Sequence, residues 1–374
     1  MDRLDYSGRD NPNMTARQLR MRVKGTMLYG PYAVSDALRN RRHRSTDRRF
    51  LILRHSARNP HFHDYLLNWL ESEVPSVRAL FEPRLLPFYG IDWSRYLVCA
   101  PWLQDPAEDW MPRGSWKRLQ QLQQQCEQRG IAIINPVQNL SRATKTSGAR
   151  IISKLEVRVP RAIRVSDPRG FTERSQDLRF PLIIREDRKH SAPTCLVHNR
   201  TELARVPWDQ FACPAAAEFI DVRDPGDGHY RKYRYVAAGD YGVPRHLIVS
   251  RHWEVHAAQR IHNRSTQSEE IAYLEQPDPN HETLQAVRRA LQLDLVAFDY
   301  SYTPDGKLVV WEANPYPNLS QPTGEGTAYT TPFVARSYAA IAGMYLTAGN
   351  FELHPRLVKL LGACTPAKPQ GEAA

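Results

Sequence analysis

The sequence predicts an α/β (α+β) chain: a small parallel layer first, then antiparallel strands ending in a hairpin. Two observations carry that expectation. From Arg49 to Ile134 short apolar runs alternate with segments of helical period, the pattern of strands joined by crossover helices. From Ala216 to Trp311 the apolar runs are separated instead by turn signals, Asp224-Pro225-Gly226-Asp227-Gly228 and Pro304-Asp305-Gly306, which join antiparallel neighbours. At 374 residues there is length for two domains.

Residues 1–48, rich in Arg, Asn, Ser and Asp, read as an irregular, partly disordered basic arm. Arg49 to Leu53 then predicts a buried strand. His61 to Glu73 predicts a helix, with Phe62, Tyr65, Leu66, Trp69 and Leu70 at helical spacing. In that reading His61-Phe62-His63-Asp64 is a polar helix start rather than a metal site. Tyr96 to Ala100 is a second strand. Ser115 to Arg129 is a polar helix turning Leu119 and Leu122 inward, and Gly130 ends it. Ile131 to Ile134 is a third strand, stopped by Asn135-Pro136. This Rossmann-like layer lacks a G-x-G-x-x-G turn, so nucleotide binding is not assigned to it.

Leu140 to Leu155 predicts a helix carrying Lys145, followed by short strands at Val157 to Val165 and Leu182 to Ile184. A strand at Ala216 to Ile220 and antiparallel strands at Tyr230 to Ala237 and His246 to Val249 come next. Alternation puts Lys232 and Arg234 on one face, and Tyr230, Tyr233 and Tyr235 on the other. Asn280 to Leu291 is helical. Thr331 to Leu346 is an apolar helix interrupted by Arg336, expected in the core or at a subunit contact. Beyond Gly362 the tail is expected to be disordered. The expected divisions are 1–48, 49–139, 140–215, 216–350 and 351–374.

The hydrophobic share of 41% and charged share of 24% are ordinary for a globular protein. No stretch has the apolar length of a membrane span, and the first residues lack the core of a signal peptide. The five cysteines are scattered and form no C-x-x-C pair, which fits reduced thiols; a cytoplasmic protein is expected. The net charge of +11 is concentrated early, and the Arg39–Arg49 cluster leaves nucleic acid open as a partner.

The most informative segment runs from Phe298 to Pro315. Two strands flank the Pro304-Asp305-Gly306 turn, so Asp299 folds back towards Glu312 and Asn314, which share a face. Two carboxylates and an amide oxygen form a hard, all-oxygen set suited to Mg²⁺ carrying nucleotide phosphates.

On these residues the region from about Asn135 to Ser320 resembles the ATP-grasp superfamily, the fold of carboxylate–amine ligases such as D-alanine–D-alanine ligase and the ribosomal-protein glutamate ligases. Asp299 followed by Glu312-Ala313-Asn314 stands at the family's spacing, although Asn318 occupies a place where Gly is usual. The resemblance implies ATP as cosubstrate and two Mg²⁺ ions (Mn²⁺ as the substitute) at Asp299, Glu312 and Asn314. It implies Lys145 and Arg185 on the α and β phosphates and the backbone of Glu218-Phe219-Ile220-Asp221 on adenine. Lys232 and Arg234 lie on the phosphate-facing strand, with Arg234 beside Arg185 in the catalytic role.

Two departures stand out. The glycine-rich lid of the family is replaced by Glu186 to Thr194, which has no glycine, and Ala297 stands where some ligases carry an Arg. Arg234, Arg260 and Arg264 are the substitutes considered for that role. The implied activity is ATP-dependent ligation of a small-molecule or peptide carboxylate to an amine. A phosphotransferase on the same scaffold is the alternative, and a non-catalytic nucleotide- or nucleic-acid-binding protein is the third. The basic residues from Arg251 to Arg264 suggest an anionic substrate. A homodimer is compatible with all three.

Overall fold

The computed structural model describes residues 16–43, 49–56, 61–103, 111, 113–165, 171, 178–188, 194–322 and 324–362. Within them the strands form three four-stranded sheets. The first contains β1 (Arg49–Arg54), β2 (Phe81–Leu85), β3 (Tyr96–Pro101) and β4 (Ala132–Ile133), all parallel, in the order β2-β1-β3-β4. This is the expected Rossmann-like layer. Its strands are apolar because parallel sheets are covered on both faces: every residue of β1 is buried.

The second sheet is antiparallel: β5 (Ala162–Arg164), β6 (Leu182–Glu186), β7 (Thr194–Val197) and β8 (Pro214–Glu218), in the order β5-β8-β6-β7. The third contains β9 (Tyr230–Ala238), β10 (Tyr241–Ser250), β11 (Leu295–Tyr302) and β12 (Leu308–Asn314), in the order β10-β9-β11-β12. The β9–β10 turn is tight. A Cβ on Gly242 would lie 1.6 Å from the Tyr235 hydroxyl, which contacts His281 at 2.7 Å, so only glycine fits there.

The helix Thr331–Ala348 packs on β9 and β10 and also reaches the first sheet. Tyr345 stacks on Phe50 at 5.9 Å, and Tyr338 meets Trp69 at 5.6 Å. The expected apolar helix is therefore core. Asn135 makes the other junction, its side chain almost wholly buried. Its amide donates to the carbonyls of Leu295 and Pro315 at 2.7 and 3.1 Å and accepts from the N–H groups of Asp294 and Leu295. One side chain thus ties the end of the parallel layer to the start of β11 and the end of β12.

Several expectations need correction. Residues 16–42 are not irregular: Ala16–Arg42 is a helix, fixed by Asp36 and Asn40 against β1 and β2. The rest of the expected arm, the centre of the Arg39–Arg49 cluster and the tail beyond residue 362 lie outside the described residues. Leu140–Leu155 is not one helix. Regular α structure covers Val137–Leu140 and Lys145–Ile152, with 3₁₀ turns between and after them. The strand expected at 157–165 is reduced to Ala162–Arg164, and the one expected at 216–220 runs instead from Pro214 to Glu218. The helix start at His61 holds with Asp64 in its first turn, where its carboxylate pairs with Arg39 and Arg54. His63 is fully buried, its ring 4.9 Å from Trp102.

Candidate active site

Register on the third sheet assembles the site. Asp299 on β11 stands opposite Glu312 on β12 and, on its other side, opposite Arg234 on β9; Arg234 stands opposite His246 on β10. Cross-strand partners share a face, so Glu312, Asp299, Arg234 and His246 form one row across all four strands. The expected alternation on β9 holds for Lys232, which joins Arg234 on the row's face, and for Tyr233, which stacks on Tyr300 at 5.1 Å on the other. It fails for Tyr230, which stands two residues before Lys232, shares the row's face and packs beside Ile248, the cross-strand partner of Lys232.

Asp299 is gripped from two sides. Arg234 donates from Nε and a terminal nitrogen to its two oxygens at 2.5 and 2.7 Å, and the Lys232 ammonium lies 3.6 Å away. Burial alone would raise the Asp299 pKa and lower that of Arg234. The pairing outweighs it, so the carboxyl is held below its usual range and the guanidinium above. Glu312 faces the second sheet, where Arg185 of β6 approaches it at 3.3 Å and Lys145 at 3.9 Å. Burial holds the Lys145 ammonium below the ordinary amine range, opposed by Glu312.

Lys145 is placed by its backbone. It opens the helix capped by Thr144, and its N–H donates to the Asp187 carbonyl. The fully buried Asp187 carboxylate, just past β6, accepts from the N–H and hydroxyl of Thr146 and from Arg164. Sequence reading had placed Asp187 in a lid; here it anchors the turn presenting Lys145. Residues 189–193 of that lid lie outside the described residues.

The segment Glu218–Asp221 lies where β8 ends. The Glu218 carboxylate is occupied by Arg158 at 2.5 Å and by the Arg161 backbone, and Asp221 accepts from the Arg223 N–H. Phe219 packs edge-on to Trp253, and Ile220 is buried beside Val222, Ile248 and Val309. Arg158 also bridges to Val309, so this segment is fastened to the hairpin.

The donors suit a hard divalent cation. Asp299 and Glu312 lie side by side, and Asn314 follows two residues on. The Asn314 amide oxygen accepts from the Tyr316 N–H at 2.9 Å, which fixes its direction and leaves one lone pair. Among the described residues no three His, Cys, Asp or Glu gather, so an ion here would draw on that amide or on phosphate oxygens as well. Lys145, Arg185, Lys232 and Arg234 bring four positive charges against two carboxylates. Sequence reading missed His246 at the row's far end. Burial, then Arg234, Arg245, Lys232 and Arg260, push its imidazole pKa well down.

No family model matches the sequence, and no curated protein matches it. Solved structures do. The ATP-grasp ligase PsnB, complexed with a phosphomimetic variant of its minimal precursor, Mg and ADP, aligns at TM-score 0.50 and 12% identity, covering 80% of this chain and 100% of that one. The macrocyclase MdnC from Microcystis aeruginosa MRC, bound with precursor peptide MdnA, aligns at TM-score 0.48 and 14% identity over 80% of this chain and 99% of its own. The VanG D-Ala:D-Ser ligase from Enterococcus faecalis aligns at 0.48 and 12%, over 80% and 100%. The chain has the ATP-grasp fold.

Proposed function

We propose that this protein is an ATP-dependent carboxylate–amine ligase. One observation carries the reading: around two carboxylates fixed side by side by strand register, Asp299 and Glu312, four cations gather, Lys232 and Arg234 from the same sheet and Lys145 and Arg185 from across it, a net positive charge suited to a triphosphate. Asp299, Glu312 and Asn314 would hold Mg²⁺, two ions with Mn²⁺ as the substitute. When bound, the metal would supply neutralisation of the phosphate charge. Lys145 and Arg185, which share Glu312, would turn to the α and β phosphates. Lys232 and Arg234 would face the γ-phosphate and the acyl phosphate formed when the substrate carboxylate attacks it.

An amine then attacks the acyl carbon. The C–N bond forms, the bond to phosphate oxygen breaks, and phosphate leaves with the electron pair. Positioning and charge supply the catalysis, so no protein nucleophile is needed. Adenine would lie on the backbone of Glu218, Phe219, Ile220 and Asp221. Arg158 and Arg161 occupy the Glu218 carboxylate, which leaves the backbone to read the base. That the structure of PsnB is of a complex with Mg and ADP supports the nucleotide and the metal. We also propose the divisions 49–139, 140–215 and 216–350 as its domains and a cytoplasmic location. No helix among the described residues is long and apolar enough to cross a membrane.

The test is ADP release that requires both an acid and an amine, with free phosphate and an amide as products. Asp299→Ala should reduce turnover about a thousandfold, as loss of a charge-organising group does. Full turnover in that variant would refute the reading; a stable phosphorylated product would replace it with phosphotransfer.

A further inference from the structure

The row ends on β10, and it ends in an irregularity. Pro244 stands opposite Tyr235 and His246 opposite Arg234, so Arg245 is an extra residue between two paired ones. A bulge of this kind sets two residues against one and re-aims a side chain. His246 takes the row's face by its pairing with Arg234. Arg245 reaches the same face from the other side of the bulge. Val243 pairs with Val236, which shares the face of Arg234 two residues away, and alternation from Val243 carries Arg245 there too. Its guanidinium donates to the Ser320 carbonyl at 2.8 Å, in the chain that leaves Asn314, and the Arg234 charge acts on it.

Neither group is spent. Among the described residues Arg245 meets that one carbonyl and no carboxylate at ion-pair distance, and burial pushes its pKa down to about 10. Glu270, an acid whose charge reaches it, is taken by Arg260, the Tyr329 hydroxyl and the Leu247 N–H. His246 keeps a buried Nε2 with no hydrogen-bond partner, a group that folded proteins rarely leave unmet. The charged groups acting on the ring are Arg234 and Lys232 on β9, Arg245 beside it and Arg260 from the loop before the helix Arg264–Glu275. All are cations, so with burial they keep the imidazole neutral. A neutral imidazole in that company is a poor base, but it can give an N–H to an oxygen without adding a charge.

The row also has a direction. Under the ligase reading Lys145 and Arg185, at Glu312, would take the α and β phosphates, and Lys232 and Arg234 the γ-phosphate. In-line displacement puts the attacking carboxylate on the side of the γ-phosphorus away from the leaving ADP. That side is the β10 end, one strand spacing of about 4.8 Å beyond Arg234. We infer that His246 and Arg245 form an oxyanion site, binding the substrate oxygen that stays on the acyl carbon and holding it when it takes negative charge during ligation. The amine nitrogen bonds to the acyl carbon, and the carbonyl π pair moves onto that oxygen, where the N–H groups of His246 and Arg245 meet it. The pair returns as the bond to phosphate oxygen breaks; phosphate leaves with its electrons and takes the amine's proton. The inference rests on the ligase reading and assigns catalytic groups to its second step.

Acetyl phosphate and hydroxylamine are the probes, because they run that step without the first. With Mg-ADP present the protein should turn them into acetohydroxamate and phosphate, read from the colour of the ferric hydroxamate after subtraction of the protein-free rate. His246→Leu and Arg245→Gln should each lower the protein-dependent rate about a hundredfold, the loss expected of one oxyanion donor. His246→Gln keeps an N–H donor but cannot take a proton, and should lose no more than about tenfold. Calorimetry should find Mg-ADP bound equally by the parent and the two His246 variants, which shows that they are folded. No protein-dependent rate, a full rate in His246→Leu or Arg245→Gln, or a His246→Gln protein as slow as His246→Leu would overturn the inference; the last would make His246 a base. The two readings fail separately. Acid- and amine-dependent ADP release undiminished in His246→Leu would remove the oxyanion site and keep the ligase. Hydroxamate formation that needs His246, in a protein that releases ADP for no acid and amine, would do the reverse.

Discussion

Two charge clusters among the described residues, one at the end of β1 and one at Asp299 and Glu312, are balanced differently. At the end of β1, Arg54 is almost wholly buried and shared between Asp36, on the helix Ala16–Arg42, and Asp64, on the helix His61–Glu73; Arg39 takes Asp64 at 2.6 Å. That network has two guanidiniums and two carboxylates from three elements. At Asp299 and Glu312, four cations share two carboxylates. A balanced cluster is complete in itself and serves to join elements. An unbalanced one repels itself until an anion arrives, so the excess marks the place where the protein expects a ligand.

The sharpest way to break this contrast is to remove one cation from each cluster. Arg54→Met leaves Asp36 and Asp64 short of a partner in a buried setting and should lower stability by about 3 to 5 kcal/mol in urea unfolding, with Mg-ADP affinity unchanged in the folded fraction. Next in size is a neutral control. Asn135→Ala strands backbone groups at the junction of two sheets and should cost about 3 kcal/mol by the same measurement. Lys145→Met should do the opposite of Arg54→Met. Glu312 keeps Arg185 at 3.3 Å, so stability should hold or rise, while Mg-ADP affinity by calorimetry falls about tenfold to a hundredfold. A Lys145→Met protein that unfolds like Arg54→Met would mean that its charge is structural.

The same contrast explains what the sequence could disclose. Asp299, Glu312 and Asn314 were legible because a hairpin with a short turn fixes register locally, and alternation then decides which side chains share a face. Lys232 and Arg234 followed from the same rule. Lys145 and Arg185 were found by family spacing, since no local rule brings a helix start and a strand of another sheet onto Glu312. His246 was hidden because its place depends on the register between β9 and β10, which shifts at a bulge between Pro244 and His246. Asn135 looked like a strand stop, but its contacts lie about 160 residues away. The helix Ala16–Arg42 was missed because it is stabilised by tertiary pairs such as Asp36 with Arg54, while its sequence is polar and contains Pro31.

The smallest expected effect sharpens the comparison by sign alone. Asp299 and Asp278 are both buried, but Asp299 is met by cations and Asp278 by neutral donors: the hydroxyls of Tyr300 and Tyr273 at 2.8 and 3.0 Å, and the Asn280 N–H at 2.8 Å. For Asp299 the pairing wins over burial, and its folded pKa lies below the ordinary 3.8; for Asp278 burial wins, and its folded value lies above. The stability lent by Asp299 is therefore present above pH 3.8 and lost as pH falls through its lower folded value. Asp278 acts in reverse: the folded state binds the extra proton between 3.8 and its raised value, so stability rises as pH falls through that window. In urea midpoints measured from about pH 3 to 6, Asp299→Asn should flatten the acid loss of stability and Asp278→Asn should steepen it. Shifts in the same direction would mean that the two carboxylates differ only in position, and that the cations around Asp299 do not set its ionisation.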